Sequence, residues 1–145
     1  MSSEDYEQTM VITWAHWLEI GHPELQLLYH IPNGGSRNKI EAAKLKGMGV
    51  KAGVPDLHLP VPKGKYCGLW IEMKYGDGRV RPAQKEFMEM AADQGAYCVV
   101  CYGADAAIEI IKQYIDLRPV NTGEGENSMQ IPNLSILKDG KVKTL

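Results

Sequence analysis

The run AYCVVCY at 96–102 constrains this chain most, because seven successive residues carry no charge and do not alternate with polar ones. A strand of that kind needs cover on both faces, which an interior strand of a helix-flanked sheet receives. It follows a helical pattern that Pro82 opens and Gly95 closes, and it precedes a second amphipathic pattern at 104–117. Strand and helix therefore alternate, and the expected class is α/β. At 145 residues the chain has the length of one domain and enough apolar content to hold a core without disulfides. Its cysteines, Cys67, Cys98 and Cys101, form an odd and sparse set suited to a reducing compartment. Cys98 and Cys101 lie three apart in a strand-like run, so they point to opposite faces and make a poor zinc pair.

The remaining elements follow from periodicity and punctuation. Residues 4–20 read as an amphipathic helix that begins after serines and ends at Gly21 and Pro23. LQLLYHI (25–31) reads as a strand ended by the turn PNGG, and residues 37–47 as a short basic helix. Strands are expected at 56–61 and 66–75, with PKGK between them and Gly76-Asp77-Gly78 after. The order α-β-α-β-β-α-β-α gives one domain over 1–117, a mixed sheet flanked by helices. Residues 118–145 are expected to form a linker and a C-terminal extension, with KDGK (138–141) turning a small hairpin. No apolar run approaches the roughly 20 residues of a membrane span, and the acidic start MSSEDYEQ is no secretory signal. A soluble, cytoplasmic protein is expected.

The strands carry acids where apolar residues would be unremarkable. In 66–75, Leu69, Ile71 and Met73 share one face and leave Trp70, Glu72 and Lys74 on the other. In 56–61, Leu57 and Leu59 share a face and leave Asp56 and His58 opposite, so pairing of the two strands lets Asp56 and Glu72 converge. Glu7 lies in step with Met10, Val11, Trp14 and Leu18, and Gln84 with Phe87, Met88 and Ala91. A carboxylate on an inward stripe is costly unless it is paired, hydrogen-bonded or bound to a cation. Charge is divided too. Residues 37–85 hold eleven basic and four acidic residues, hence +7, and the remainder of the chain, at −2 overall, carries −9. One face is thus expected to meet a polyanion.

In this order the residues resemble a known family. Gly53-Val54-Pro55-Asp56 followed by Glu72-Met73-Lys74 is similar to the PD-(D/E)xK nuclease signature. The blocks HIPNGG (30–35), AAKLKGMGVKAGVPDL (42–57), GLWIEMKYGDGR (68–79) and RPAQ (81–84) resemble the VRR-NUC (virus-type replication-repair nuclease) domain in its stand-alone form. His58 departs from the family's pattern, and residues beyond 118 fall outside the likeness. The resemblance implies a restriction-endonuclease-like core and a Mg²⁺- or Mn²⁺-dependent deoxyribonuclease in a bacterial cell or phage-infected host. Asp56, Glu72 and the Met73 carbonyl are the implied metal ligands, with Glu7 assisting directly or through water. Lys74 is the implied charge-stabilising or water-holding group, and Gln84 the group that supports the lysine or the scissile phosphate. Asn33, Arg37, Lys44, Lys46, Lys51, Arg79 and Arg81 are the expected DNA contacts. A homodimer that cuts four-way (Holliday) junctions in replication or repair is expected, with Ile12, Trp17 and the tail as interface material. A less selective or exonucleolytic nuclease, and a non-catalytic DNA-binding module, are the alternatives.

Overall fold

Residues 97–102 do form the interior of a sheet: β4 (Tyr97–Tyr102) is buried along its length except at its last residue. The computed structural model describes residues 2–33, 38–119 and 123–145. Parallel to β4 on one side lies β3 (Leu69–Lys74), and on the other β5 (Ser135–Lys138). β2 (Leu57–Leu59) pairs antiparallel with β3, and β1 (Tyr29–His30) antiparallel with β2. β6 (Lys141–Thr144) closes the other edge against β5, so the sheet runs β1 to β6 in chain order.

Helices cover both faces, as the apolar run requires. On one face α1 (Glu4–Leu18) and α4 (Ala104–Ile115) pack on each other and on β3. They enclose Leu57, Leu59, Ile71, Met73, Val99 and Cys101. On the other face α3 (Pro82–Asp93) packs on β4 with Met88 over Cys98 and Val100. Cys98 and Cys101 thus lie in different clusters on opposite faces of the sheet. α2 (Lys39–Gly47) starts at Asn38, whose side chain accepts the Glu41 N–H at 2.7 Å.

Several boundaries differ from the sequence reading. The strand expected over 25–31 is a 3₁₀ turn, Pro23–Leu27, followed by only two residues of strand. Pro23 presets the helical φ, and Leu25 is buried as that turn packs on α1. The strand expected over 66–75 begins at Leu69, because Tyr66 exchanges backbone hydrogen bonds with Lys63 across a tight turn. Ile12 packs against the core, whereas Trp17 is 75% exposed. The terminal hairpin is present, with Asp139 and Gly140 both at positive φ as a two-residue hairpin turn demands. It belongs to the sheet: Ser135 to Leu137 pair with Val99 to Cys101, and Met129 and Ile131 are buried in the core. Asn133 fixes the return by accepting the Cys98 N–H at 2.8 Å and donating to the Ala96 carbonyl at 2.9 Å. No helix among the described residues is long and apolar enough to cross a membrane.

Candidate active site

β2 and β3 pair with Leu57 opposite Ile71, so the residue before β2 comes level with Glu72. That residue is Asp56, and Pro55 ahead of it ends the ladder. The Met73 N–H donates instead to Asp56 Oδ2 at 2.8 Å. The Asp56 carbonyl is held in turn by the Ile31 N–H at 2.9 Å and by His30 Nδ1 at 2.8 Å. Main chain on both sides therefore clamps Asp56.

The loop before Asp56 is pressed onto the start of α3. Gly53 has φ +83°, and a Cβ there would lie 2.3 Å from the Ala83 carbonyl oxygen. Only glycine meets both demands. Gln84, in the first turn of α3, accepts the Arg81 N–H with Oε1 at 2.9 Å, which leaves Nε2 to donate to Glu72 Oε2 at 2.9 Å. Lys74 Nζ lies 3.4 Å from the same oxygen. Glu72 is 2% exposed and Lys74 5%, so this ion pair sits almost wholly out of water.

Burial, more than any neighbour, raises the Glu72 carboxyl to about 8; Asp56 raises it further and Lys74 opposes both. Glu72 Oε1 is buried without a hydrogen-bond partner. A native interior rarely leaves such an oxygen unsatisfied.

The third acid of the cluster is Glu4. One carboxylate oxygen each from Glu4, Asp56 and Glu72 lie within 4.8 Å of one another. Burial raises the Glu4 carboxyl as well, with Lys74 opposing and Asp56 adding to the rise. Among the described residues this is the one grouping of three acids, histidines or cysteines close enough to share an ion. An all-oxygen set with an orphaned buried oxygen fits a hard divalent cation.

Of the residues singled out from the sequence, Asp56, Glu72, Lys74 and Gln84 are brought together. Glu7 is not among them. Its Oε1 accepts the Ala104 N–H at the start of α4 at 3.1 Å, and its Oε2 accepts from Ser2 Oγ at 3.1 Å. Glu7 thus caps the positive end of a neighbouring helix. Glu4, three residues earlier, shares its stripe and enters the cluster. Periodicity alone does not separate the two, since Glu4, Val11 and Leu18 are spaced by seven. The start of α1 at Ser3, whose side chain accepts the Tyr6 N–H, decides which acid reaches the sheet.

His58 also stands outside the cluster. Its ring stacks on Trp70 with centroids 3.7 Å apart and planes 10° apart, and Nδ1 is 2.9 Å from Tyr29 Oη. Burial lowers its pKa from the ordinary histidine value, and the ring takes its place in an aromatic row with Tyr29 and Trp70.

A cavity of about 380 Å³ opens onto the acids, with Asn33, Lys51 and Arg81 at its wall. Asn33 Nδ2 donates to the Lys51 carbonyl at 2.7 Å and ties the two loops of the rim. Lys46 of α2 lines an adjoining cavity with Lys51 of that rim, and Lys44 is exposed on the same helix. Arg79 lines a different hollow, with Lys85 and Leu145. Arg37 lies outside the described residues. A larger cavity of about 640 Å³ is bordered by Glu7, Tyr102 and Asp139 and holds no such carboxylate cluster.

The six-stranded mixed sheet, its flanking helices and an Asp-Glu-Lys constellation, with half-buried Asp56 just before β2 and buried Glu72 and Lys74 on β3, define a nuclease-type α/β domain. The VRR-NUC domain model matches residues 2–105. A solved structure described as a VRR_NUC domain protein is 40% identical, with a TM-score of 0.75. The likeness covers 89% of this chain and 98% of that one. No curated protein matches the sequence. The chain belongs to the VRR-NUC family, and the restriction-endonuclease-like reading of its core agrees with that neighbour.

Proposed function

We propose that this chain is a divalent-cation-dependent deoxyribonuclease that hydrolyses phosphodiester bonds at branched DNA. The observation that carries the reading is the cluster of Glu4, Asp56 and Glu72, one carboxylate oxygen of each within 4.8 Å of the others, in a site where Glu72 Oε1 is buried without a hydrogen-bond partner. Asp56, Glu72 and Glu4 would hold Mg²⁺ or Mn²⁺, with the Met73 carbonyl as a further oxygen; Glu4 takes the place the resemblance gave to Glu7. Such an ion supplies charge neutralisation at phosphate and acidifies water.

The chain's own groups do the rest. Lys74, anchored through Glu72, points an ammonium at the developing negative charge of the transition state or at the attacking water. Gln84 holds Glu72 in one rotamer and presents its amide nitrogen, never its oxygen, to the carboxylate. Asn33, Lys51 and Arg81 at the wall, and Lys44 and Lys46 beyond it, meet the phosphates. The products are a 5′-phosphate and a 3′-hydroxyl. A surface that only bound DNA would gain nothing from three acids turned toward phosphates.

The same reading makes the protein a homodimer in the cytoplasm. α1 turns Tyr6, Met10 and Trp17 outward, and residues 4–20 contain no lysine or arginine, so this stripe suits a second copy better than DNA. The edge strand β6 carries Lys141 and Lys143 among its four exposed residues, which blunts its free edge against pairing. Two sites about a two-fold axis match the symmetry of a four-way junction. Incubating the protein with Mg²⁺ or Mn²⁺ and labelled duplex, flap and junction DNA tests the reading: branched substrates should be cut first, and chelator should stop all cutting.

A further inference from the structure

β3, β4 and β5 run parallel and end side by side. Lys74, the last residue of β3, pairs in register with Tyr102, the last residue of β4. β5 pairs with β4 up to Leu137 opposite Cys101, so the next step brings Lys138 level with Tyr102. Register partners share a face of a sheet, so Lys74, Tyr102 and Lys138 form one cross-strand row. It lies one pleat repeat beyond the row that holds Glu72.

The turn that leaves β3 folds back onto this row. Gly76 takes φ +57°, and the Gly78 N–H donates to the Tyr75 carbonyl at 3.0 Å. Two side chains of the row then hold the turn. The Tyr102 hydroxyl donates to the Gly78 carbonyl at 2.6 Å, and Lys138 Nζ donates to the Gly76 carbonyl at 3.1 Å. Lys138 Nζ also stands 4.5 Å from the centre of the Tyr102 ring, so the two side chains steady each other. The same turn lies against Glu4: a Cβ on Gly78 would be 3.3 Å from Glu4 Oε2 and 3.8 Å from Lys74 Cδ. Burial raises the Tyr102 hydroxyl above its ordinary pKa and Glu4 raises it further, with Arg79 opposing.

We propose that Tyr102 and Lys138 are positioning residues: they hold the 76–78 turn as a backstop that keeps the Glu4 carboxylate directed into the acid cluster. This rests on the cation-site reading above and gives the C-terminal hairpin a part in that site. The family model ends at residue 105, so Lys138 comes from the segment beyond it. The three acids then have separate supports. Main chain clamps Asp56, Gln84 holds Glu72, and Glu4, the first residue of α1, has this turn.

Titration of the full chain with Mn²⁺, the free ion read by electron paramagnetic resonance, tests this without any substrate. Tyr102→Phe keeps the ring beside Lys138 and deletes only the donor. It should bind Mn²⁺ about tenfold more weakly, the usual effect of losing a group that orients a metal ligand, and Lys138→Met should act in the same direction. Lys138→Arg, which keeps a donor and a cation, should restore most of the affinity. Gly78→Ala, which presses a methyl group onto Glu4 Oε2, should weaken binding from the turn itself. The decisive comparison repeats Tyr102→Phe in a Glu4→Gln background. There it should cause no further loss, because its route to the ion is already cut, whereas a general loss of packing would cost the same in both backgrounds. Equal losses in the two backgrounds, or wild-type affinity in Tyr102→Phe or Lys138→Met, overturn the positioning role and leave the site standing. Failure of the wild type to bind Mn²⁺ overturns the site reading first, and this proposal with it.

Discussion

Gln84 donates from Nε2 to Glu72 Oε2 at 2.9 Å, and its orientation is fixed because Oε1 is occupied by the Arg81 N–H. One side chain thus links the first turn of α3 to the buried acid on β3. Gln84→Glu replaces that donor with a like charge, and Gln84→Ala removes it. Either should lower cleavage by about tenfold to hundredfold, the usual cost of losing a group that orients a metal ligand. Circular dichroism should show an unchanged fold, and Mn²⁺ titration should show weaker binding.

The two acids of α1 separate in function. Glu4→Gln should weaken Mn²⁺ binding and cleavage together, since Glu4 belongs to the carboxylate cluster. Glu7→Ala should cost about 1 kcal/mol of stability, as for a lost helix cap, while Mn²⁺ still binds. Parallel melting curves and Mn²⁺ titrations of both variants make the comparison. Loss of Mn²⁺ binding in Glu7→Ala alone would return the ligand role to Glu7.

The raised Glu72 carboxyl sets a pH dependence with a definite sign. Its ordinary value is 4.5 and its folded value about 8, so within that window the folded protein binds more protons than the unfolded chain. Stability from this group therefore falls as pH rises from about 5 to about 8. Mg²⁺ or Mn²⁺ replaces the proton and should remove or reverse the trend. Thermal melts across that range, with and without Mn²⁺, check it; Glu72→Gln should reduce the slope, leaving the smaller share that the raised Glu4 carboxyl contributes.

Gly53 offers a backbone test. Alanine there meets both a positive φ and the Ala83 carbonyl at 2.3 Å, so the loop carrying Asp56 must lift off α3. A loss of about 1–3 kcal/mol in stability is expected, with a larger fall in cleavage than in DNA binding. Denaturant unfolding and gel-shift titration read the two effects.

Much of this was legible beforehand, for physical reasons that differ by element. β4 was plain because it is apolar on both faces, and α3 because Pro82 and Gly95 bracket it. Asp56 and Glu72 converge because strand alternation leaves them on the face opposite Leu57 and Ile71. Residues 25–31 misled because LQLL is apolar enough for a strand, while the tertiary contact of Leu25 with α1 favours a turn. Glu7 and Glu4 were indistinguishable by period, since the answer depends on depth along the helix axis. The pairing of β5 with β4 spans more than thirty residues and leaves no local trace in the sequence.

The most direct measurement is cleavage of an end-labelled four-way junction by the wild type, Asp56→Ala and Lys74→Ala, each with Mn²⁺ and with chelator, alongside Mn²⁺ titration of all three. The account predicts cutting by the wild type with Mn²⁺ alone, no cutting by either variant, and Mn²⁺ binding lost in Asp56→Ala but kept in Lys74→Ala. Cutting in the presence of chelator, or by Asp56→Ala, would contradict it.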